Sequence, residues 1–164
     1  MQQKSKQALI DQIRDFPNVL EATIANLSAK QLQEHYLPDE WSVQQIVHHL
    51  ADSHMNSVIR LKLILTMERP PLQAYPQEIW AELADVYQTP IEDSLSILRG
   101  LHHRWAAVFE SLEEHQWQRM GVHSEDGEVS AHDLLLSYTN HCAIHLDQIK
   151  RVLAAAPLEQ EQPL

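Results

Sequence analysis

His141 and His145 stand four residues apart, so on a helix both imidazoles project from one face, one turn apart. That spacing lets two ring nitrogens reach a single metal ion, and it equally suits two histidines hydrogen-bonded inside a core. A facing segment strengthens the metal reading. Ile46, His49, Ser53, Asn56, Arg60, Leu63 and Met67 follow one another at helical spacing, apolar at both ends and polar through the middle. A bundle of helices does not bury His, Asn and Arg together unless a cavity, a ligand or a metal satisfies them. His49 is therefore the expected third ligand, with His48 its substitute if the stripe is displaced by one residue. A polar line facing water is the competing reading.

Three neutral imidazoles with an open position make a ligand set of the catalytic kind. Zinc is the default ion, and nickel, copper or iron suit the same imidazole set. An ion so held lowers the pKa of bound water from 15.7 to about 7, or binds an incoming thiol as its thiolate. Asp52, three residues after His49, is a candidate to orient a ligand or act as a base, and just as well a capping or surface carboxylate. Asn56, Arg60 and Tyr138 are the candidate substrate contacts, Arg60 suiting a carboxylate through its forked donors. His102 lies among Leu98, Trp105 and Phe109. It is read as a fourth ligand, a group supporting a ligand, or a core histidine bonded to a carbonyl. The other histidines carry less: His35, His115, His123 and His132 read as solvated surface, and His48, His54 and His103 as partly buried without a chemical role. No HExxH is present, which removes the general base of a thermolysin-type protease.

Four amphipathic segments must position these residues. The first carries Leu9, Ile13, Phe16, Leu20, Ile24 and Leu27, with Pro17 expected to kink or interrupt it. The second starts at a Ser42/Gln45 capping box and is expected to run to about Arg69, before Pro70-Pro71. The third opens at Thr89-Pro90, read as a cap followed by proline at the first helical position, and the fourth at Ser130 with Asp133 three residues on. The fold expected is all-α, a four-helix bundle with long connections. Between the second and third helices lie about twenty residues with a short helix expected near Glu78 to Ala84, a length that suits a lid or crossover. Asp126-Gly127 signals a hairpin turn before the fourth helix.

The 164 residues fit one domain, expected over 1–156, with residues 157–164 as a flexible tail. Twelve basic against 23 acidic residues give a net charge of −11, which argues against nucleic acid or an anionic membrane as partner. The N-terminus lacks the apolar stretch of a signal peptide, and the apolar runs contain Lys or Arg, so no membrane span is expected and the cytoplasm is the expected location. The single cysteine, Cys142, lies about 100° around the helix from His141 and reads as a small buried residue.

Trp41-Ser42-Val43, His48-His49-Leu50-Ala51-Asp52-Ser53-His54-Met55-Asn56 and Arg60, followed by Ile79 to Leu83, Leu101 to Trp105 and Asn140 to His145, resemble the DinB/YfiT-like superfamily of metal-binding four-helix bundles, closest to its YfiT-like branch. The similarity runs from about Ala8 to Leu153. It implies a divalent metal, zinc or nickel, on His49, His141 and His145, and so prefers His49 to His48. It also implies a metal-dependent hydrolase acting on a small molecule. Related members transfer low-molecular-weight thiols such as bacillithiol or mycothiol, and homodimers are common among them. Members of that branch carry further histidines around the last pair, where this chain has Ile144 and Gln148. A metal-stabilised bundle serving as a non-catalytic sensor is the alternative from outside enzymology.

Overall fold

The computed structural model describes residues 5–156; the expected tail at 157–164 lies outside them. Four long helices, α1 (Lys6–Ile24), α3 (Val43–Thr66), α6 (Ile91–Glu110) and α7 (Ala131–Ala154), form the bundle. Helices α1 and α3 each pack on both α6 and α7, which places α1 and α3 on a diagonal. Their apolar stripes close around Trp105, Phe109, Ile13, Leu20, Ile46, Leu50, Leu61 and Leu98, all of them buried. No described helix is long and apolar enough to cross a membrane.

Three α-helices, the short α2 (Ala29–Gln33), α3 and α7, start at capping boxes, each with the serine Oγ accepting from the amide three residues on and that later side chain reaching back: Ser28/Gln31, Ser42/Gln45 and Ser130/Asp133. The expected starts of α3 and α7 hold. Helix α6 begins one residue later than expected, with Pro90 itself at the cap position and Thr89 Oγ1 turned back onto the Asp85 carbonyl.

Two other boundaries differ from expectation. Helix α1 runs unbroken through Pro17. Proline lacks the amide that would reach the carbonyl four residues back, at Ile13, and that carbonyl is instead taken by His102 Nδ1 at 2.5 Å. Helix α3 stops at Thr66 rather than Arg69. There Arg119 donates to the carbonyls of Ile64 (2.8 Å) and Met67 (2.7 Å), satisfying groups that an ended helix leaves open.

The α3–α6 connection holds β1 (Pro71–Leu72), α4 (Gln77–Trp80) and α5 (Ala84–Gln88), two short helices overlapping the two ends of the stretch where one was expected. The segment between α6 and α7 folds as a 3₁₀ turn (Glu114–Gln118) and the hairpin β2 (Met120–His123) and β3 (Gly127–Ser130), with Gly127 at φ 75° in the turn. Strand β1 adds to β2 in parallel, Leu72 opposite His123, giving a small three-stranded sheet at one end of the bundle. The two connections are thereby tied together, and they form one wall of the cleft described next.

Candidate metal centre

His49 comes from α3, and His141 and His145 from adjacent turns of α7. Their side chains converge. His141 Nε2 lies 3.4 Å from His49 Nε2 and 3.1 Å from His145 Nε2, and the three residues can present ligand atoms all within 4.8 Å of one another. Nitrogens bound to one tetrahedral ion at 2.0–2.1 Å stand about 3.3 to 3.4 Å apart, so the spacing matches what such an ion imposes. Nitrogen lone pairs facing one another this closely repel unless a metal ion or a shared proton sits between them. The donor set therefore fits a divalent metal.

The trio is held in the form that binds a metal. Burial, with the neighbouring His145 adding to it, pushes His49 down to about 3; burial and the other two histidines push His141 down to about 3. Burial also lowers His145, against an opposing hydrogen bond from Gln148. His145 Nδ1 donates to Gln148 Oε1 at 2.7 Å, and Gln148 Nε2 donates to Glu40 Oε2 at 2.8 Å; Arg151 in turn pairs with Glu40. That chain orients His145 with its Nε2 toward the other two rings. Trp41 lies against His49, ring centroids 4.8 Å apart, and closes one side.

His141 also lines a cleft of about 650 Å³ that opens between α3, α7, the 74–78 segment and the hairpin. Arg60 and Tyr138 line it too. Arg60 donates to Tyr138 Oη (3.2 Å) and to the Gln73 carbonyl (2.5 Å), while its Nε has no partner. Tyr75, packed on Trp80 at 4.5 Å, and His123, expected on the surface, also face the cleft.

The structure separates the remaining candidates. Asn56 lies outside the cleft lining and donates to the backbone carbonyl of Asp52 in its own helix. Asp52 makes no hydrogen bond to the trio; burial and the nearby Asp85 raise its carboxyl to about 6. His48 is buried but turned away, with Nδ1 on Ser94 Oγ at 2.8 Å, so the stripe is not displaced and His49 is the member of the trio. His102 is no fourth member: it bonds the Ile13 carbonyl, one of the roles read for it. Cys142 is buried, its thiol pushed up by burial, and points elsewhere.

One residue escaped the sequence reading. His54 is fully buried between His102 and His141, its Nδ1 2.8 Å from His102 Nε2 and its Nε2 3.2 Å from His141 Nδ1. The signal was there: continuing four residues from Leu50 lands on His54, and from there Ser57, Val58 and Leu61, all buried.

Residues 12–149 match the DinB superfamily. The chain belongs to that superfamily. Among its DinB relatives, one from Oceanobacillus iheyensis is 41% identical over 140 residues, covering 85% of this chain and 81% of its own, and is named "Putative metal-dependent hydrolase OB0782". A Bacillus cereus relative named "Putative metal-dependent hydrolase" is 40% identical over 147 residues, covering 88% and 84%. YfiT from Bacillus subtilis, described as "a probable metal-dependent hydrolase with an unusual four-helix bundle topology", superposes with a TM-score of 0.87 at 33% identity over 93% of this chain and 87% of that one. A mycothiol-dependent maleylpyruvate isomerase shares the fold at a TM-score of 0.71 and 14% identity, over 89% of this chain and 61% of that one. The names of the two sequence relatives above and of YfiT agree with the three-histidine cluster on metal-dependent function.

Proposed function

We propose that the protein is a divalent-metal-dependent hydrolase of a small molecule that carries an anionic group. The observation that supports it is the convergence of three Nε2 atoms, one of them on His141 at the wall of a cleft that also holds an arginine. His49, His141 and His145 would hold the ion, with zinc the first expectation and nickel the second. Bound there, the ion supplies Lewis acidity and an ionisable water at neutral pH.

The chain's own residues do the rest. Glu40 and Gln148 fix the tautomer of His145 and so aim its Nε2. Arg60 is anchored through Tyr138 and Gln73, which leaves further N–H donors of its guanidinium for a carboxylate or phosphate. Tyr75 and Tyr138 supply flat, partly apolar walls beside it. A substrate anchored on Arg60 presents its reacting end toward His141.

The test begins with metal content after purification without chelators, followed by reconstitution with Zn²⁺ and Ni²⁺. Wild-type protein should bind one ion per chain, and His49→Ala and His141→Ala should lose it. A panel of anionic esters and amides, with and without a low-molecular-weight thiol, then reads the chemistry. Hydrolysis without thiol supports the proposal. Turnover that requires the thiol overturns it in favour of a thiol transferase, and stoichiometric metal with no turnover on either set favours a binding module.

A further inference from the structure

Pro17 leaves the Ile13 carbonyl without its helical partner, and His102 Nδ1 occupies that place at 2.5 Å. A carbonyl only accepts, so His102 donates from Nδ1. His102 and His54 are both fully buried, and the partners of their ring nitrogens are a carbonyl and other imidazoles. With no carboxylate to pair a charge in that dry setting, each ring is neutral and carries one proton. The directions are then forced in sequence. His102, with its proton on Nδ1, has a lone pair on Nε2 and must accept from His54 Nδ1 at 2.8 Å. His54, its proton so used, has a lone pair on Nε2 and must accept from His141 Nδ1 at 3.2 Å.

We infer that a hydrogen-bonded relay from the Ile13 carbonyl through His102 and His54 fixes His141 as its Nδ1–H tautomer and so aims the Nε2 lone pair at the metal centre. His54 and His102 are positioning residues: neither belongs to the ligand trio, and both act through His141. The relay visits α1, α6, α3 and α7 in turn, so every helix of the bundle contributes to the state of one ligand. His145 receives the same orientation by a different route, through Gln148 and Glu40. The chemical logic is that of a ligand histidine donating its distal N–H to an acceptor, which raises the basicity of the metal-facing nitrogen. Here the acceptor is an imidazole, kept receptive by a carbonyl that a proline released.

The inference rests on the metal reading only for its purpose; the tautomer is a property of the metal-free chain. The deciding measurement is ¹⁵N–¹H correlation spectroscopy on metal-free protein labelled at histidine, at pH 7.5 (a condition of the experiment, about one unit above the pKa of free imidazole). His54, His102 and His141 should each show a protonated Nδ1 and a pyridine-like Nε2. A proton on Nε2 of His141, donated across the 3.1 Å to His145, overturns the inference. Chelator-competed Zn²⁺ titration supplies the second arm. His54→Leu removes the acceptor and should weaken Zn²⁺ binding by roughly 10- to 100-fold. His54→Gln, whose carboxamide both accepts and donates, should recover most of that loss. Equal affinity in His54→Leu and wild type overturns the positioning role. Absence of Zn²⁺ binding in the wild type would instead sink the metal reading and leave the tautomer result standing.

Discussion

The pH dependence of stability offers a quantitative check on the buried imidazoles, and His102 is the residue to use because it lies apart from the trio of His49, His141 and His145. Burial pushes it down to about 4, against the opposing hydrogen bond from Ile13. In the unfolded chain its pKa returns to about 6.5. Between those values the unfolded state binds a proton that the folded state refuses, so stability is fully present above pH 6.5 and drains away as the pH falls. Integrated from pH 7 to pH 5, this one residue removes about 1.8 kcal/mol. The perturbation is His102→Asn, which deletes the titrating ring while retaining an amide donor for Ile13. The assay is urea unfolding of metal-free protein at the two pH values, wild type against variant. The wild type should lose about 1.8 kcal/mol more than the variant on acidification. Any destabilisation common to both pH values cancels in that comparison. If the two proteins lose stability in parallel, within about 0.5 kcal/mol, His102 is not held neutral and the reasoning from burial is wrong.

Three further outcomes are expected. Asp52 shifts the opposite way: its folded pKa of about 6 exceeds the unfolded value, so its carboxylate costs stability as the pH rises from about 4 through 6. Asp52→Asn should therefore stabilise the fold by on the order of 2 kcal/mol at pH 8 and by little at pH 4, read by urea unfolding. A Cβ at Gly121 would lie 2.8 Å from the Leu72 side chain and 3.1 Å from the Pro70 carbonyl, which pins β2 against β1; Gly121→Ala should lower the urea midpoint by the equivalent of about 1 to 3 kcal/mol. Cys142 is buried and its thiol held protonated by burial, so iodoacetamide should label it quickly only in denaturant; rapid labelling of the folded protein would contradict its placement.

How far the sequence reached depended on whether a signal was local. The i,i+4 spacing of His141 and His145 and the capping boxes at Ser42 and Ser130 are local, and the structure reproduces them. His49 was legible because its neighbours in one stripe alternate between apolar ends and a polar centre. His54 was missed because it was grouped with His48 and His103 as partly buried, although its spacing from Leu50 placed it inside. The end of α3 depends on Arg119, which is 53 positions beyond Thr66 in the chain and leaves no mark near the helix it terminates. Strand β1 spans two residues and exists through its pairing with β2, so no periodicity announces it. Pro17 misled for the same reason: a local rule foresaw a broken helix, and the group that compensates comes from α6.

The order of the three proposed ligands along the chain has a consequence for biogenesis. His49 is separated from His141 by 92 positions, and His141 and His145 both lie on α7, the last described helix. A chain emerging from the ribosome folds from its N-terminal side. Until α7 is made and docked, the nascent bundle offers one of three nitrogens, too few to retain an ion against cellular chelators. Metal capture on the proposed trio would thus wait for α7. Chains interrupted or clipped before α7 would lack two of the three proposed ligand nitrogens, so the proposed site would commit metal only once α7 is in place.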